Sequence, residues 1–154
     1  IFVPLIGTQT DFITCKIDGV FTTFNVNATA GLDNSTGFPI LGIDGSSTTT
    51  SIDPSISLGI VKLMGGSILA GTYTVNQVAT GITVSCDYND AASVNFFAGS
   101  DPLNQSQSPA FTITITSITA TRVVGTFSGP VKDNGGAGPG GKNITEGVFN
   151  VPIQ

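Results

Sequence analysis

The side chains able to do chemistry are few. The sequence of 154 residues holds ten carboxylates, five basic groups, two thiols and no histidine. Without imidazole there is no Ser-His-Asp triad, no Cys-His dyad and no histidine metal site. None of the four lysines has a serine three residues before it, so a Ser-x-x-Lys dyad is also excluded. Glycoside hydrolysis needs a paired acid and base. The ten acids, with Glu146 the only glutamate, show no spacing that selects a pair. Asp87, Asp90 and Asp101 could meet at one end of the fold. Their spacing is not that of a calcium loop, so no metal site is expected. No cofactor and no enzymatic activity are expected.

Two further motifs weaken on inspection. Gly136-x4-Gly141-Lys142-Asn143 approaches a phosphate-binding loop. Asn143 replaces the Ser or Thr that would hold magnesium, and the next residues read as strand rather than as a helix offering its N-terminal amides. Asn-x-Ser/Thr triplets start at Asn27, Asn34, Asn104 and Asn143. A chain this rich in Asn, Ser and Thr produces such triplets by composition alone.

The thiols and the first residues are more informative. Cys15 and Cys86 each sit in a strand-like run, Phe12–Ile17 and Ile82–Cys86. A Cys15–Cys86 disulfide suits an oxidising compartment and is the expectation. Two buried free thiols are the alternative. The segment Ile1-Phe2-Val3-Pro4-Leu5-Ile6 is almost wholly apolar. Such a run is a liability if left uncovered. It is expected either to be a first strand of the chain's own sheet or to enter a neighbouring copy, through Ile1, Phe2, Val3, Leu5 and Ile6, by strand addition as pilin subunits do.

The elements that would position these residues are strands. Apolar residues alternate rather than recurring at three and four, in runs of Thr, Val, Ile and Phe bounded by Gly, Asp, Asn and Pro. Ten runs result: 12–17, 20–28, 38–43, 55–62, 71–75, 82–88, 92–97, 111–118, 123–131 and 147–153. Asp18-Gly19 reads as a hairpin turn. In the run 111–118, Phe111, Ile113 and Ile115 face one way and threonines the other. The expected class is all-β, an antiparallel β-sandwich, immunoglobulin-like or related, of about nine to ten strands. Residues 1–10 are an arm or first strand and 11–154 a single domain. Stretches 46–54 and 133–142 read as hairpin tips.

Composition sets the surroundings. Gly 20, Thr 21, Ser 14 and Asn 10 make up 65 residues, while only 10% are charged. The usual charged share is about 25%. Five basic against ten acidic groups exclude phosphate-driven binding of nucleic acid. Mean hydropathy is +0.32, yet no apolar stretch reaches the ~18 residues of a membrane span. A surface of Thr, Ser, Asn and Gly loses little side-chain entropy when covered. It suits an extracellular, self-associating protein, exported and trimmed at its N-terminus.

Three segments carry a resemblance. Phe12-x-x-Cys15-Lys16-Ile17-Asp18-Gly19-Val20-Phe21-Thr22, Gly71-Thr-Tyr-Thr-Val75, and the pair Val124-Gly-Thr-Phe-Ser128 with Ile144-Thr-Glu-Gly-Val-Phe-Asn-Val-Pro152 resemble a group of small secreted β-sandwich lipoproteins of unknown function from Bacteroidota. The sequence departs from that group in lacking a lipid-acceptor cysteine near residue 1. The resemblance implies a structural rather than a catalytic role. The expected function is a self-assembling subunit of a surface fibre, its partners copies of itself. The alternative is a monomeric secreted module binding a surface glycan or a peptide.

Overall fold

Period-two alternation becomes strand wherever the inward positions are large and apolar. In the computed structural model, which describes residues 10–35, 37–49, 54–99, 110–133 and 140–154, eleven strands are found. They are β1 (Phe12–Ile17), β2 (Val20–Thr23), β3 (Val26–Asp33), β4 (Ile40–Ser46), β5 (Ser55–Lys62), β6 (Gly71–Thr74), β7 (Ile82–Asn89), β8 (Asn95–Gly99), β9 (Thr112–Ile118), β10 (Arg122–Asp133) and β11 (Lys142–Pro152). The all-β antiparallel class is as expected. The strands form one hydrogen-bonded path, β2-β1-β11-β10-β8-β7-β5-β4-β3, curled into a half-barrel, with β9 on β10 and β6 on β9.

Differences from the ten expected runs have local causes. The run 20–28 is two strands, because Phe24 turns into the core and its N–H donates to Ile13 O at 2.8 Å. A 3-10 helix, Val75–Thr80, follows β6. Thr74 and Gln77 form its capping box, a Thr-x-x-Gln signal readable in the sequence. Asp18 and Gly19 have φ of 50° and 83°, the left-handed pair that a two-residue hairpin turn requires.

β10 joins two limbs of the sheet. Its residues Val123–Ser128 pair with β9, and Lys132–Asp133 pair with β8. Two bulges bend the limbs. In β11, Phe127 pairs Gly147 but Gly129 pairs Ile144, so one extra residue is accommodated around Glu146, whose φ is 52°. In β3, Val26 pairs Ser46 but Thr29 pairs Asp44, around Asn27 with φ 53°. A bulge adds local twist and bends its strand. The far edge, β3, meets the end of β11: Gln154 N–H donates to Ala30 O at 2.9 Å, and Thr29 Oγ1 to Pro152 O at 3.4 Å.

The core carries a phenylalanine ladder over glycines. Phe111, Phe127 and Phe149 stack at 6.5 and 6.3 Å between ring centroids. Gly125 lies opposite Phe149 and Gly147 opposite Phe127, so each ring covers the glycine on the neighbouring strand. The rings are fully or almost fully buried. Each contributes roughly 2–3 kcal/mol by burial, and the glycines leave room for the close crossing. A second aromatic group, Phe24, Tyr88 and Phe96, fills the other limb.

Candidate interaction surfaces

The expected disulfide is not formed. Cys15 on β1 and Cys86 on β7 are both free and buried in the core. Both strands turn these positions inward, but their sulfurs pack as apolar groups and do not bond. Burial pushes the Cys15 thiol up to about 12. Burial also raises Cys86 well above the ordinary value, with smaller contributions from Asp87 and from Cys15. These are unreactive thiols.

The other singled-out residues have structural places. Asp90 Oδ1 accepts the N–H groups of Ala92 at 2.9 Å and Val94 at 3.0 Å, shaping the β7–β8 turn. Asp87 is raised by burial, with a hydrogen bond from Asn95 at 3.4 Å opposing the shift. Glu146 is the bulge residue of β11 and pairs with Lys16 Nζ at 2.8 Å. Among the described residues, no group of three or more acids or thiols could hold a metal ion. Tyr73 and Tyr88 are buried, so neither offers an exposed ring. Asn27, Asn34 and Asn143 are exposed. Asp101, Asn104, most of the glycine loop 133–142, and Ile1, Phe2, Val3, Leu5 and Ile6 lie outside the described residues. No helix among the described residues is long and apolar enough to cross a membrane.

Four surface features remain, three of them invisible without strand register. The first is a rank of hydroxyls on the outer face of one limb. Pairing places Thr23, Thr14, Val148, Thr126, Thr114 and Thr72 in one row across β2, β1, β11, β10, β9 and β6. Thr72 and Thr114 share a hydrogen bond of 3.1 Å. A groove of about 440 Å³ lies over the middle of this row, at Thr14, Val148, Thr126 and Thr114, and is bounded by Phe21, Ser128 and Glu146.

The second feature is at the edge of the same limb. β2 pairs only with β1 among the described strands. Its Val20 and Phe21 are 68% and 65% exposed. Phe24 N–H is directed at β1, and amides alternate along a strand. The N–H and C=O of Phe21 and Thr23 therefore face the open side. The sequence Val-Phe-Thr-Thr has no charge, proline or bulge, the devices that usually protect an edge.

The third feature crosses the outer face of the other limb. Gly31, Gly42, Gly59, Ser85 and Gly99 lie in one row over β3, β4, β5, β7 and β8. The row is open above Gly31 and Gly42, where an added Cβ would touch nothing closer than Asp44 Oδ2 at 3.8 Å. The Ser85 hydroxyl lies over Gly59, and the Phe97 ring covers Gly99 and ends the trough. Beside it runs the row Asp44, Ser57, Asp87 and Phe97.

A smaller polar hollow of about 420 Å³ lies between Asp11, Asn25, Asn27, Thr29 and Gln154. Asp11 is already held there by Arg122 at 2.7 Å.

Comparison with known proteins finds no match: no family model, no curated protein and no solved structure is similar to this chain.

Proposed function

We propose that this protein is an extracellular structural subunit that assembles with copies of itself, using the apolar segment Ile1–Ile6 as a strand lent to a neighbour. One observation carries this reading. β1 already has β11 on one side and β2 on the other, and the described residues form a core of 28 buried apolar side chains. Six largely apolar residues then need a cover that this strand order does not supply beside β1. The 10% charge content supports the reading, because few charged groups resist contact between copies. The resemblance to secreted Bacteroidota lipoproteins supports a location outside the cell. The role is structural, without catalysis or cofactor. Sedimentation velocity and negative-stain microscopy test it. Wild-type protein is expected to show species larger than a monomer that grow with concentration, and a full-length Val3→Asp/Leu5→Asp variant to remain monomeric. A variant that assembles like the wild type would sink the reading.

A second reading, a monomeric module for a surface glycan, is favoured by the glycine trough. Bare backbone lets a flat ring lie close, the Phe97 ring offers an apolar face, and Ser85, Asp44 and Asp87 offer hydrogen-bonding groups. Filling the floor by Gly42→Val meets no backbone, so the fold should survive. On this reading, retardation of the wild type in polysaccharide-containing gels is lost in Gly42→Val. Equal mobility of wild type with and without polysaccharide rejects it.

A further inference from the structure

We infer that the open edge of β2, Val20–Thr23, is the site that receives Ile1–Ile6 of a second copy, as an added strand continuing the sheet. This rests on the assembly reading above and names its acceptor.

The edge supplies what strand addition needs. Phe21 and Thr23 present N–H and C=O groups away from β1, and main-chain pairing to such groups gives strand addition its affinity. The second free edge among the described strands, on β6, is Gly-Thr-Tyr-Thr, and its one large side chain, Tyr73, is buried with its hydroxyl spent on Leu69 O at 2.8 Å. The β3 edge is met by Gln154. Among the described strands, β2 alone joins open amides to uncovered apolar side chains.

The chemistry of the two partners matches on both faces. Val20 and Thr22 share the side of Ile17 and Cys15, which is the core side, and Phe21 and Thr23 lie on the outer side beside Lys16 and Thr14. β2 therefore exposes one large apolar group on each face. Most strands of the body are apolar on one face only, as in the inward Ile113 and Ile115 against the outward Thr112 and Thr114 of β9. Ile1–Ile6 is apolar on both: Ile1, Val3 and Leu5 alternate with Phe2 and Ile6. Neither partner carries a charge. Six residues extend about 20 Å, which covers four-residue β2 with a residue to spare at each end.

Proline sets the register. Pro4 has no N–H and must face away from β2. Phe2 and Ile6 share its orientation, so Ile1, Val3 and Leu5 carry the amides that meet Phe21 and Thr23. Five residues, 7–11, join this segment to β1, a reach of about 17 Å when extended.

The test uses full-length variants. Phe21→Pro blocks the edge without removing a bond to β1, since the Phe21 amide faces outward; Phe21→Lys is the alternative should Phe21→Pro lose the wild-type circular dichroism spectrum. Val3→Asp/Leu5→Asp disables the arm. Each alone is expected to sediment as monomer. An equimolar mixture is expected to form a dimer of doubled mass and nothing larger, because one member keeps a working arm and the other a working edge. If the edge variants assemble like the wild type while the arm variant does not, or if the mixture stays monomeric, the arm docks elsewhere and this inference falls while assembly by the arm stands. If the arm variant also assembles, the assembly reading falls with it.

Discussion

Gly147→Val is expected to lower the melting temperature by about 10–15 °C, corresponding to roughly 3–5 kcal/mol. A Cβ at this position would lie 2.7 Å from Cδ1 of Phe127 and would also meet the Phe127 carbonyl oxygen. The ring cannot retreat, because Phe111 and Phe149 stack on either side of it. Overpacking of a dense core costs about 1–3 kcal/mol by itself. Here it also displaces a ring that anchors β10 to β11. Gly125→Val is expected to behave alike, since Phe149 and the Thr114 carbonyl oxygen occupy its space. Gly31→Val is the control: nothing lies within 4 Å of its added Cβ, so its melting temperature should stay near that of the wild type. Thermal melts followed by circular dichroism decide the matter. A Gly147→Val protein that melts with the wild type would refute the ladder as a packing constraint.

Alkaline pH is expected to unfold the protein well before the backbone suffers. Burial pushes the Cys15 thiol up to about 12 from an ordinary 9.0, and burial also raises Cys86 well above its ordinary value. The folded state thus binds these protons more tightly than the unfolded chain. Stability from both thiols is fully present below pH 9.0 and is lost as pH rises from there through the folded values. A group in that window costs about 1.4 kcal/mol per pH unit, so Cys15 costs roughly 3 kcal/mol by about pH 11. Cys86 adds in the same direction, and a loss of this order is a sizeable fraction of the roughly 5–15 kcal/mol that stabilises a domain. Tyr88, raised by burial and by its neighbours Asp90, Cys15 and Asp18, adds in the same direction. Urea titrations at stepped pH should show this slope in the wild type and a much flatter one in Cys15→Ala/Cys86→Ala. Equal slopes would exclude the thiols as the cause. Labelling at neutral pH should find no reactive thiol in the native protein and two per chain in denaturant. None in denaturant would mean that the two cysteines are bonded after all.

Much of the architecture was legible because one face of each strand is buried. Phe111, Ile113 and Ile115 announce β9 by alternation, and Ile56, Leu58 and Ile60 announce β5. Asp18-Gly19 marks its hairpin because few other pairs tolerate two left-handed residues. The break at Phe24 was hidden, since Val20 to Ala28 reads as one alternating run and only the inward turn of Phe24 divides it. The cysteines show the limit clearly. Alternation placed both in the core, but whether two sulfurs bond depends on a distance between β1 and β7 that neither strand encodes alone. The glycine row has the same character. Gly31, Gly42, Gly59 and Gly99 are scattered in sequence, and they align only because β7 pairs with β5 and skips β6. The open edge of β2 likewise required knowing which strands have one neighbour.

The pairing of β1 with β11 also determines how this body would answer to pulling. Phe12 lies opposite Asn150, so the chain enters β1 and leaves β11 at the same end of the sheet. Tension applied between Thr10 and Gln154 would therefore open that ladder one bond at a time, like a zipper, instead of shearing all its bonds together. A body loaded this way yields at low force. Were an arm seated on β2 as proposed, tension passing from it into β1 of the same subunit would run along two neighbouring strands instead. In a chain of subunits, the weak direction of the fold would be spared whenever load passes from edge to arm and bypasses the C-terminal strand.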